Sequence, residues 1–415
     1  MSCVSRTSLD KAKIRVLLLE AIHPSAVEAF ATDGYTNVDR QDRSLSEAEL
    51  ADGIRDVHIL GIRSRTQVTE AVLERAERLM AIGCFSIGTD GVDLAAAEGR
   101  GIPVFNAPFS NTRSVAELVL AEIIVLSRGI AERNAAAHRG LWLKSVGGAT
   151  EVRGKTLGIV GYGHIGTQVG VLAEAVGMQV LYFDTETKLA LGNAQRAASL
   201  DALLERSDVV TLHVPETAQT LRMIGEAQLA RMRRGAKLIN ASRGSVIDIE
   251  ALARALGSGH LTGAAVDVFP AEPRSEGEEF VSPLRVFDNV LLTPHIGGST
   301  AEAQQNIGHE VAAKLAKYSD NGSTLGAVNF PQVALPEHAG KHRLLHVHRN
   351  EPGMLAKVNA ILSAAGINIA SQYLETDRRV GYAVIDIDGA DRPLSQGVRK
   401  SLDAIDGTIR TRVLY

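Results

Sequence analysis

The sequence predicts an α/β fold with two doubly wound parallel-sheet domains, one of them discontinuous, followed by a smaller C-terminal domain of βαββαβ order. Three observations support this prediction. Short apolar runs alternate with helical patterns over most of the chain, a glycine-rich turn lies in the second series of runs, and a segment rich in turn residues, 318–340, precedes the C-terminal part.

Two series of apolar runs predict the two parallel sheets. The first series has strand-like runs at 14–20, 57–62, 79–84 and 102–105, followed by a helix-like stretch from Asn111 to Ala137. The second series has strand-like runs at 156–160, 178–184, 208–214, 237–241, 262–268 and 289–293. A helix-like run at 300–317 could return the chain to the first sheet. We therefore expect one domain to comprise 1–110 and 300–335, and the other to comprise 111–299.

The last domain is expected to comprise residues 340–415. Its strand-like segments are 343–349, 367–375, 381–388 and 408–415, and its helix-like segments are 352–366 and 394–405. This order is that of a split βαβ sandwich, which can fold on its own.

Composition excludes several classes of protein. The chain has 415 residues with a net charge of -4 and a sequence pI of about 6.3, so no overall basic field favours nucleic acid or an anionic membrane. Two cysteines are too few for a disulfide framework or a cysteine-rich metal site. We expect no metal, no membrane span and no signal peptide, which leaves the cytoplasm as the expected location.

The segment GIVGYGHIG, 158–166, predicts a dinucleotide site of the Rossmann type. Gly161, Gly163 and Gly166 have the spacing that permits a tight turn, close approach of a pyrophosphate and close packing of helix on strand. Asp184 ends the next strand-like run, where a carboxylate can bind the adenosine ribose and disfavour a 2′-phosphate, so NAD is preferred over NADP. The alternative is a glycine-rich turn that binds nothing.

Three polar residues follow later strands of the second series. Arg243, Glu272 and His295 come after the fourth, fifth and sixth runs, and ligands of doubly wound sheets bind at the carboxyl ends of strands. Arginine can bind a carboxylate, histidine can move a proton near neutral pH, and a carboxylate can orient that histidine. Each residue alone is more often a surface charge or a structural histidine, but the three together favour catalysis.

The chain resembles the D-isomer-specific 2-hydroxyacid dehydrogenases that carry a C-terminal ACT domain. The resemblance rests on RSRT, NAPFSNTRSVAE, GKTLGIVGYGHIGTQVG, LINASRG, GAAVDVFPAEP, FDNVLLTPHIGGST, VAAKLAKYSDNGST and GTIRTRVLY. It implies that Arg243, Glu272 and His295 are catalytic. It also places a wider set of residues at the cofactor: Gly161, Gly163, His164, Ile165, Gly166, Asp184, Ala241, Ser242, Arg243, Asp267, His295, Gly297 and Gly298.

The resemblance further implies an activity. It is the NAD-dependent oxidation of 3-phospho-D-glycerate to 3-phosphohydroxypyruvate, the first step of phosphorylated serine synthesis, with 2-oxoglutarate reduction as a possible side activity. Two alternatives stay open: a glycerate, lactate or hydroxypyruvate reductase, and a non-catalytic NAD-sensing co-regulator built on the same fold.

Residues of both parallel-sheet domains could bind the substrate phosphate. The candidates are Arg63, Ser64, Arg65, Asn111 and Lys144. Ordinary loop charge is the alternative for the arginines. By the resemblance, Trp142 packs at a dimer interface and Lys144 faces the partner's phosphate pocket. The family's lysine near position 42 is absent, and two alternatives stay open: Arg40 or Arg43 replaces it, or this contact is missing.

The C-terminal domain is expected to bind an amino acid. By the resemblance, His348, Asn350 and Asn368 bind L-serine, the pathway's end product, and ACT domains pair edge to edge, so that a homodimer joins into a homotetramer. The alternative is that NEPG, 350–353, is only a turn and helix cap, with His348 structural.

Overall fold

The computed structural model describes residues 10–145, 147–273, 277–336, 342–388 and 392–415. Backbone contacts divide the chain into two compact units. The first unit combines Met1–Ser110 with Gln304–Tyr415, and the second unit is Asn111–Ala303. This division does not separate the C-terminal sheet as a third unit. The three-domain boundaries therefore stay a prediction, and the boundary expected at 340 lies outside the described residues.

A five-stranded parallel sheet forms the N-terminal part of the first unit, in the order β2-β1-β3-β4-β5. Its strands are β1 Val16–Leu18, β2 Val38–Arg40, β3 Ile59–Ile62, β4 Ala81–Cys84 and β5 Val104–Phe105, and its helices are α1 Ser25–Thr32, α2 Glu47–Gly53, α3 Glu70–Arg75 and α4 Leu94–Gly99. The apolar runs predicted every strand except β2, whose side chains are half-buried or exposed at the sheet edge.

A seven-stranded parallel sheet forms the second unit, in the order β12-β11-β10-β9-β6-β7-β8. Its strands are β6 Thr156–Val160, β7 Gln179–Phe183, β8 Gln195–Arg196, β9 Val209–Leu212, β10 Lys237–Asn240, β11 Gly263–Val266 and β12 Val290–Leu292. The chain order reverses between β6 and β9, which is where ligands of such sheets bind. The sequence did not predict β8, a two-residue exposed strand.

Helices accompany the strands of this unit. They are α5 Thr112–Arg128, α6 Ile130–His138, α7 His164–Ala175, α8 Leu200–Leu204, α9 Glu226–Arg231 and α10 Ile249–Gly257. The single helix expected from Asn111 to Ala137 is wrong, because Gly129 at φ 56° adopts the left-handed conformation and ends α5 before α6 begins.

Helix α11, Ala301–Asn321, leads back to the first unit. Ile307, Val311 and Leu315 lie in the same buried cluster as Val16 and Phe30. The turn-rich segment expected from 318 is therefore partly helix, since α11 continues to Asn321. The end of that segment, 337–340, lies outside the described residues.

The C-terminal part is a four-stranded antiparallel sheet in the order β14-β15-β13-β16. Its elements are β13 His342–Arg349, α12 Met354–Ala364, β14 Asn368–Thr376, β15 Val380–Asp388, α13 Arg392–Asp403 and β16 Thr408–Leu414. Arg343 is buried and paired with Asp386 through Nε at 2.6 Å and Nη2 at 2.9 Å. The βαββαβ prediction is confirmed, and with it the fold class.

Among the described residues, no helix is long and apolar enough to cross a membrane.

Candidate active site

The glycine-rich turn after β6 has the geometry that a pyrophosphate requires. Gly161 has a φ of 91°, and a Cβ there would lie 2.4 Å from the carbonyl oxygen of His213. A Cβ at Gly166 would lie 2.2 Å from the carbonyl oxygen of Gly161, whereas a Cβ at Gly163 would meet nothing within 4 Å. Two glycines therefore allow the turn to close, and the third leaves open space beside the backbone. The residues fit a dinucleotide.

Helix α7 begins at His164, directly after this turn, so its first N–H groups and its positive dipole end point toward the open side. Ile165 packs partly buried against the cluster beneath the sheet. The predicted contacts of His164 and Ile165 with the cofactor stay predictions.

Asp184 directly follows β7, and its side chain bonds to the same turn. Its Oδ2 accepts a hydrogen bond from the Tyr162 N–H at 2.8 Å, and its Oδ1 accepts one from the Glu186 N–H at 2.9 Å. A carboxylate has about four acceptor positions, so two bonds leave capacity for ribose hydroxyls. The negative charge at this position opposes a 2′-phosphate.

Asp267, after β11, holds the loop that carries His295. Its side chain is 2% exposed, and its oxygens accept hydrogen bonds from Ile296 N–H at 2.8 Å, Gly297 N–H at 2.9 Å and the Thr293 hydroxyl at 2.7 Å. The His295 N–H bonds to the carbonyl oxygen of Asp267 at 2.8 Å. These bonds hold His295 at a φ of 55°, a conformation that a non-glycine residue rarely adopts.

Glu272 and His295 form a hydrogen-bonded pair. Nδ1 of His295 lies 2.9 Å from Oε2 of Glu272, whose Oε1 accepts the Phe269 N–H at 3.1 Å. The hydrogen bond to Glu272 raises the pKa of His295, although burial of the imidazole acts to lower it. Burial opposes ionisation of Glu272, but the bond from His295 and the charge of His295 outweigh it and lower the pKa of Glu272. The pair therefore favours imidazolium beside carboxylate and leaves Nε2 of His295 to face a substrate.

Arg243 adjoins this pair. Its positive charge contributes to lowering the pKa of both Glu272 and His295. Its loop meets the Glu272 loop at Gly244, where a Cβ would lie 2.1 Å from the backbone carbon of Phe269. The structure thus brings together the three residues that the sequence predicted as catalytic.

The remaining predicted cofactor residues lie on the same loops. Ser242 is nearly buried, with its hydroxyl bonded to Oδ1 of Asn240 at 2.7 Å, so its side chain closes the loop. Ala241 is partly buried beside it. A Cβ at Gly298 would lie 2.5 Å from Nδ2 of Asn111, so this glycine permits contact with the start of α5. Their cofactor contacts stay predictions.

Comparison with known proteins places this site in a family. Residues 120–297 match the family model described as D-isomer specific 2-hydroxyacid dehydrogenase, NAD binding domain, and residues 344–410 match an AHAS small subunit-like ACT domain. D-3-phosphoglycerate dehydrogenases of Haemophilus influenzae and Escherichia coli K12 are each 57% identical to the chain, over 99% of it and 100% of their own length. Among solved structures, the Aquifex aeolicus D-lactate dehydrogenase complexed with NAD and lactic acid is 29% identical with a TM-score of 0.66, covering 74% of this chain and 96% of its own.

The chain belongs to the D-isomer-specific 2-hydroxyacid dehydrogenases. It is therefore an oxidoreductase with NAD as its cofactor, as the sequence predicted. The NAD binding domain match contains the glycine-rich turn, Asp184, Arg243, Glu272 and His295. These residues can hold NAD and move a substrate proton.

In this dehydrogenase, the loop proposed to bind phosphate is organised by a residue that the sequence did not indicate. Glu20 is 7% exposed, and its Oε1 accepts the N–H groups of Arg63 at 3.1 Å and Thr66 at 2.9 Å. Its Oε2 accepts those of Ser64 at 3.1 Å and Arg65 at 2.9 Å. The carboxylate thus fixes four successive residues. An acidic residue directly after a buried strand was the available signal.

The other substrate candidates vary in their surroundings. Arg40 pairs with Asp42 at 2.9 Å, and Arg43 pairs with Glu49 at 2.7 Å, so both alternatives to the missing lysine already have acidic partners. Lys144 is exposed and follows Trp142, which is 86% exposed. Asn111 caps α5 without a side-chain hydrogen bond to the helix. None of these placements tests a substrate contact.

The predicted effector residues do not converge within one chain. His348 is buried at the end of β13 with Nδ1 near the Arg349 carbonyl oxygen at 2.7 Å, and Asn350 donates to the Asp377 carbonyl oxygen at 2.6 Å. Asn368 begins β14 and pairs with Asp388, whereas Arg349 pairs with Val380. Val380 and Asp388 are eight residues apart along β15, which corresponds to about 27 Å at the rise per residue of a β-strand. Asn368 therefore lies far from Arg349 and the residues beside it.

Proposed function

We propose that this dehydrogenase oxidises 3-phospho-D-glycerate to 3-phosphohydroxypyruvate with NAD. The observation that carries the proposal is the Glu272–His295 hydrogen bond at 2.9 Å with Arg243 beside it, in a chain that also presents Arg63 and Arg65 on one ordered loop. Two arginines suit a substrate that bears a phosphate, since guanidinium binds phosphate in a bidentate manner.

Each residue then has a role set by its charge. Bound NAD supplies the hydride acceptor. Neutral His295 takes the C2 hydroxyl proton on Nε2, and Glu272 stabilises the imidazolium that forms through its bond to Nδ1. Arg243 binds the substrate carboxylate, and its fixed positive charge stabilises the developing carbonyl oxygen. Arg63, Ser64 and Arg65 bind the phosphate.

Initial-rate measurement of NADH formation tests this proposal. 3-Phosphoglycerate is expected to give a much higher kcat/KM than D-glycerate or D-lactate. The double variant Arg63→Ala/Arg65→Ala is expected to lose that preference while the rate with D-glycerate is kept. A preference for the unphosphorylated acids would instead indicate a reductase of the glycerate or hydroxypyruvate type. Binding of NAD without turnover of any of these acids would indicate a co-regulator. The same assay, run with 2-oxoglutarate and NADH, measures the side activity.

We also propose that L-serine inhibits the enzyme through the ACT domain. His348 lies near the end of β13 and Asn350 in the turn that follows it, so that an imidazole and an amide are close to each other and suit a carboxylate and an ammonium. Asn368, at the other end of the sheet, completes the site from a second copy whose β14 edge pairs with the first. Titration of serine into the NADH assay tests this, and unchanged rates would refute it.

Two copies are also proposed to join through the second unit. Leu141, Trp142 and Leu143 are 54%, 86% and 54% exposed, a run of apolar side chains that a second copy could cover. Together with ACT pairing this gives a tetramer, which light scattering measures directly.

We propose that the enzyme acts in the cytoplasm, where its substrate and NAD are made available by central metabolism.

A further inference from the structure

The first unit contains a cavity that the proposed reaction and the proposed serine site do not use. It has a volume of about 500 Å³, within the range of small-ligand sites. It is lined by residues of β16, α13 and α11 and of the segments that precede β1, β3 and β4. Its basic lining residues are His58, Arg78, Arg399, Arg410 and Arg412.

Positive charge in this cavity exceeds negative charge. Four arginines line it, against two carboxylates, Glu77 and Asp403. Glu77 pairs with Arg55 on the exposed surface at 3.3 Å, and Asp403 lies 3.5 Å from Arg399. Among the described residues, neither Arg410 nor Arg412 has an acidic partner within ion-pair distance. Uncompensated arginines held together repel one another, and an anion would relieve that repulsion.

Some polar atoms of the residues that line the cavity have no hydrogen-bond partner among the described residues. Arg410 donates Nη1 to the Leu79 carbonyl oxygen at 2.6 Å, and Arg412 donates Nη2 to the Ser319 carbonyl oxygen at 3.4 Å. Nη1 of Arg412 and the hydroxyl of Thr411 are buried without a partner among the described residues. A buried donor left unpaired costs about 1–3 kcal/mol, and a shift of the Arg412 side chain toward the cavity would let Nη1 bond to an anion bound there.

His58 adds a further donor. Its Nδ1 accepts the Arg15 N–H at 3.1 Å, so the proton of the neutral ring lies on Nε2. Burial, followed by the charge of Arg78, lowers the pKa of His58, and Arg412 and Arg410 lower it further. The ring is therefore neutral at physiological pH, and its pKa responds to the positive charges around it.

We propose that this cavity is a second anion site, which binds inorganic phosphate or a small phosphomonoester. Its arginines come from two parts of the first unit, Arg78 from the segment before β4, and Arg399, Arg410 and Arg412 from the C-terminal α13 and β16. A phosphate bound there contacts both and holds the C-terminal sheet to the N-terminal one. The inference does not depend on the identity of the substrate.

Calorimetric titration of the full chain with inorganic phosphate tests the proposal. The double variant Arg63→Ala/Arg65→Ala serves as the background, so that the proposed substrate site does not contribute. Binding of about one phosphate per chain is expected on that background. Adding Arg78→Ala and Arg399→Ala, both exposed side chains, is expected to weaken it at least tenfold, and Arg412→Gln is expected to do the same. Adding Arg113→Ala and Arg254→Ala instead, which alters exposed arginines of the second unit, is the matched control.

Two results would overturn the site: no phosphate binding on the background, or binding that the cavity variants leave unchanged. An NMR titration supplies a readout that stability changes do not produce, since bound phosphate is expected to raise the pKa of His58 in the background and not in the Arg78→Ala/Arg399→Ala variant. Competition by glycerol phosphate then identifies the source: tighter binding than inorganic phosphate indicates a phosphorylated metabolite, and weaker binding indicates free phosphate.

Discussion

The imidazole of His295 and the carboxylate of Glu272 lie 2.9 Å apart, with the histidine backbone held at a φ of 55° by its bond to Asp267. The pair fixes which nitrogen faces the substrate, because Nδ1 is occupied and Nε2 is left for catalysis. It also sets the protonation equilibrium of the histidine, since the carboxylate favours the imidazolium form.

This pair predicts the direction of the pH dependence. Oxidation needs neutral His295, whose pKa is raised by Glu272, so kcat/KM for oxidation is expected to rise with pH through that raised value. Glu272→Gln removes the charge and lowers the pKa of His295, so the acidic limb of the profile is expected to move to lower pH. The exposed Glu279→Gln is the matched control. A limb that stays in place would show that another group titrates.

Removal of the imidazole is expected to separate binding from chemistry. His295→Ala should lower kcat by roughly 10²- to 10⁴-fold, the contribution of a positioned general base, while the Kd for NAD measured by fluorescence changes little. His260→Ala, at the opposite edge of the same sheet before β11, is the control and should keep full activity. Near-normal turnover in His295→Ala would contradict the assigned role.

Much of this site followed from local sequence patterns. Asp184 and His295 each follow a parallel strand, and strands of one sheet bring their carboxyl ends to one edge, so the pattern of strands predicted that these residues gather there. Glu20 did not follow from such a pattern. It acts through four N–H groups more than forty positions away in the chain, and only the parallel pairing of β1 with β3 brings them together.

The sequence likewise could not show that Arg410 and Arg412 face an arginine from the segment before β4. Alternation along a strand predicts which side chains share a face, but not what packs on that face. Similarly, the break of the long helix depended on the left-handed conformation of Gly129, whereas the helical pattern continues through that position.

Asp184 predicts the choice of nicotinamide cofactor. Asp184→Asn keeps an acceptor for the Tyr162 N–H but removes the negative charge. Hydrogen bonds to charged groups contribute about 1.5–3 kcal/mol, so the KM for NAD is expected to rise about 10- to 100-fold while the KM for NADP falls. Asp201→Asn, which alters an exposed carboxylate paired with Arg231, is the control. An unchanged ratio of the two KM values would contradict the placement of the ribose.

The separation of Asn350 from Asn368 predicts complementation between chains. Asn350→Ala and Asn368→Ala should each abolish serine inhibition while keeping activity, and Asn359→Ala, in α12 of the same module, should keep both. If one serine contacts two chains, a mixed dimer of the two effector variants contains one intact site, so refolding the variants together is expected to restore part of the inhibition. Mixed chains that stay insensitive would place all contacts within one copy.

Glu20 is expected to act on substrate affinity through the loop that it holds. Glu20→Gln replaces one accepting oxygen with an NH₂ group, so two of the four backbone N–H groups lose their partner, at about 1–3 kcal/mol each when buried. The Tm is expected to fall, and the KM for 3-phosphoglycerate is expected to rise about tenfold or more while the KM for NAD stays constant. Glu28→Gln, which alters an exposed residue on α1, controls for loss of one negative charge in the same unit. A fall in Tm with both KM values unchanged would show that Glu20 is structural only, and that the loop at 63–66 does not bind the phosphate.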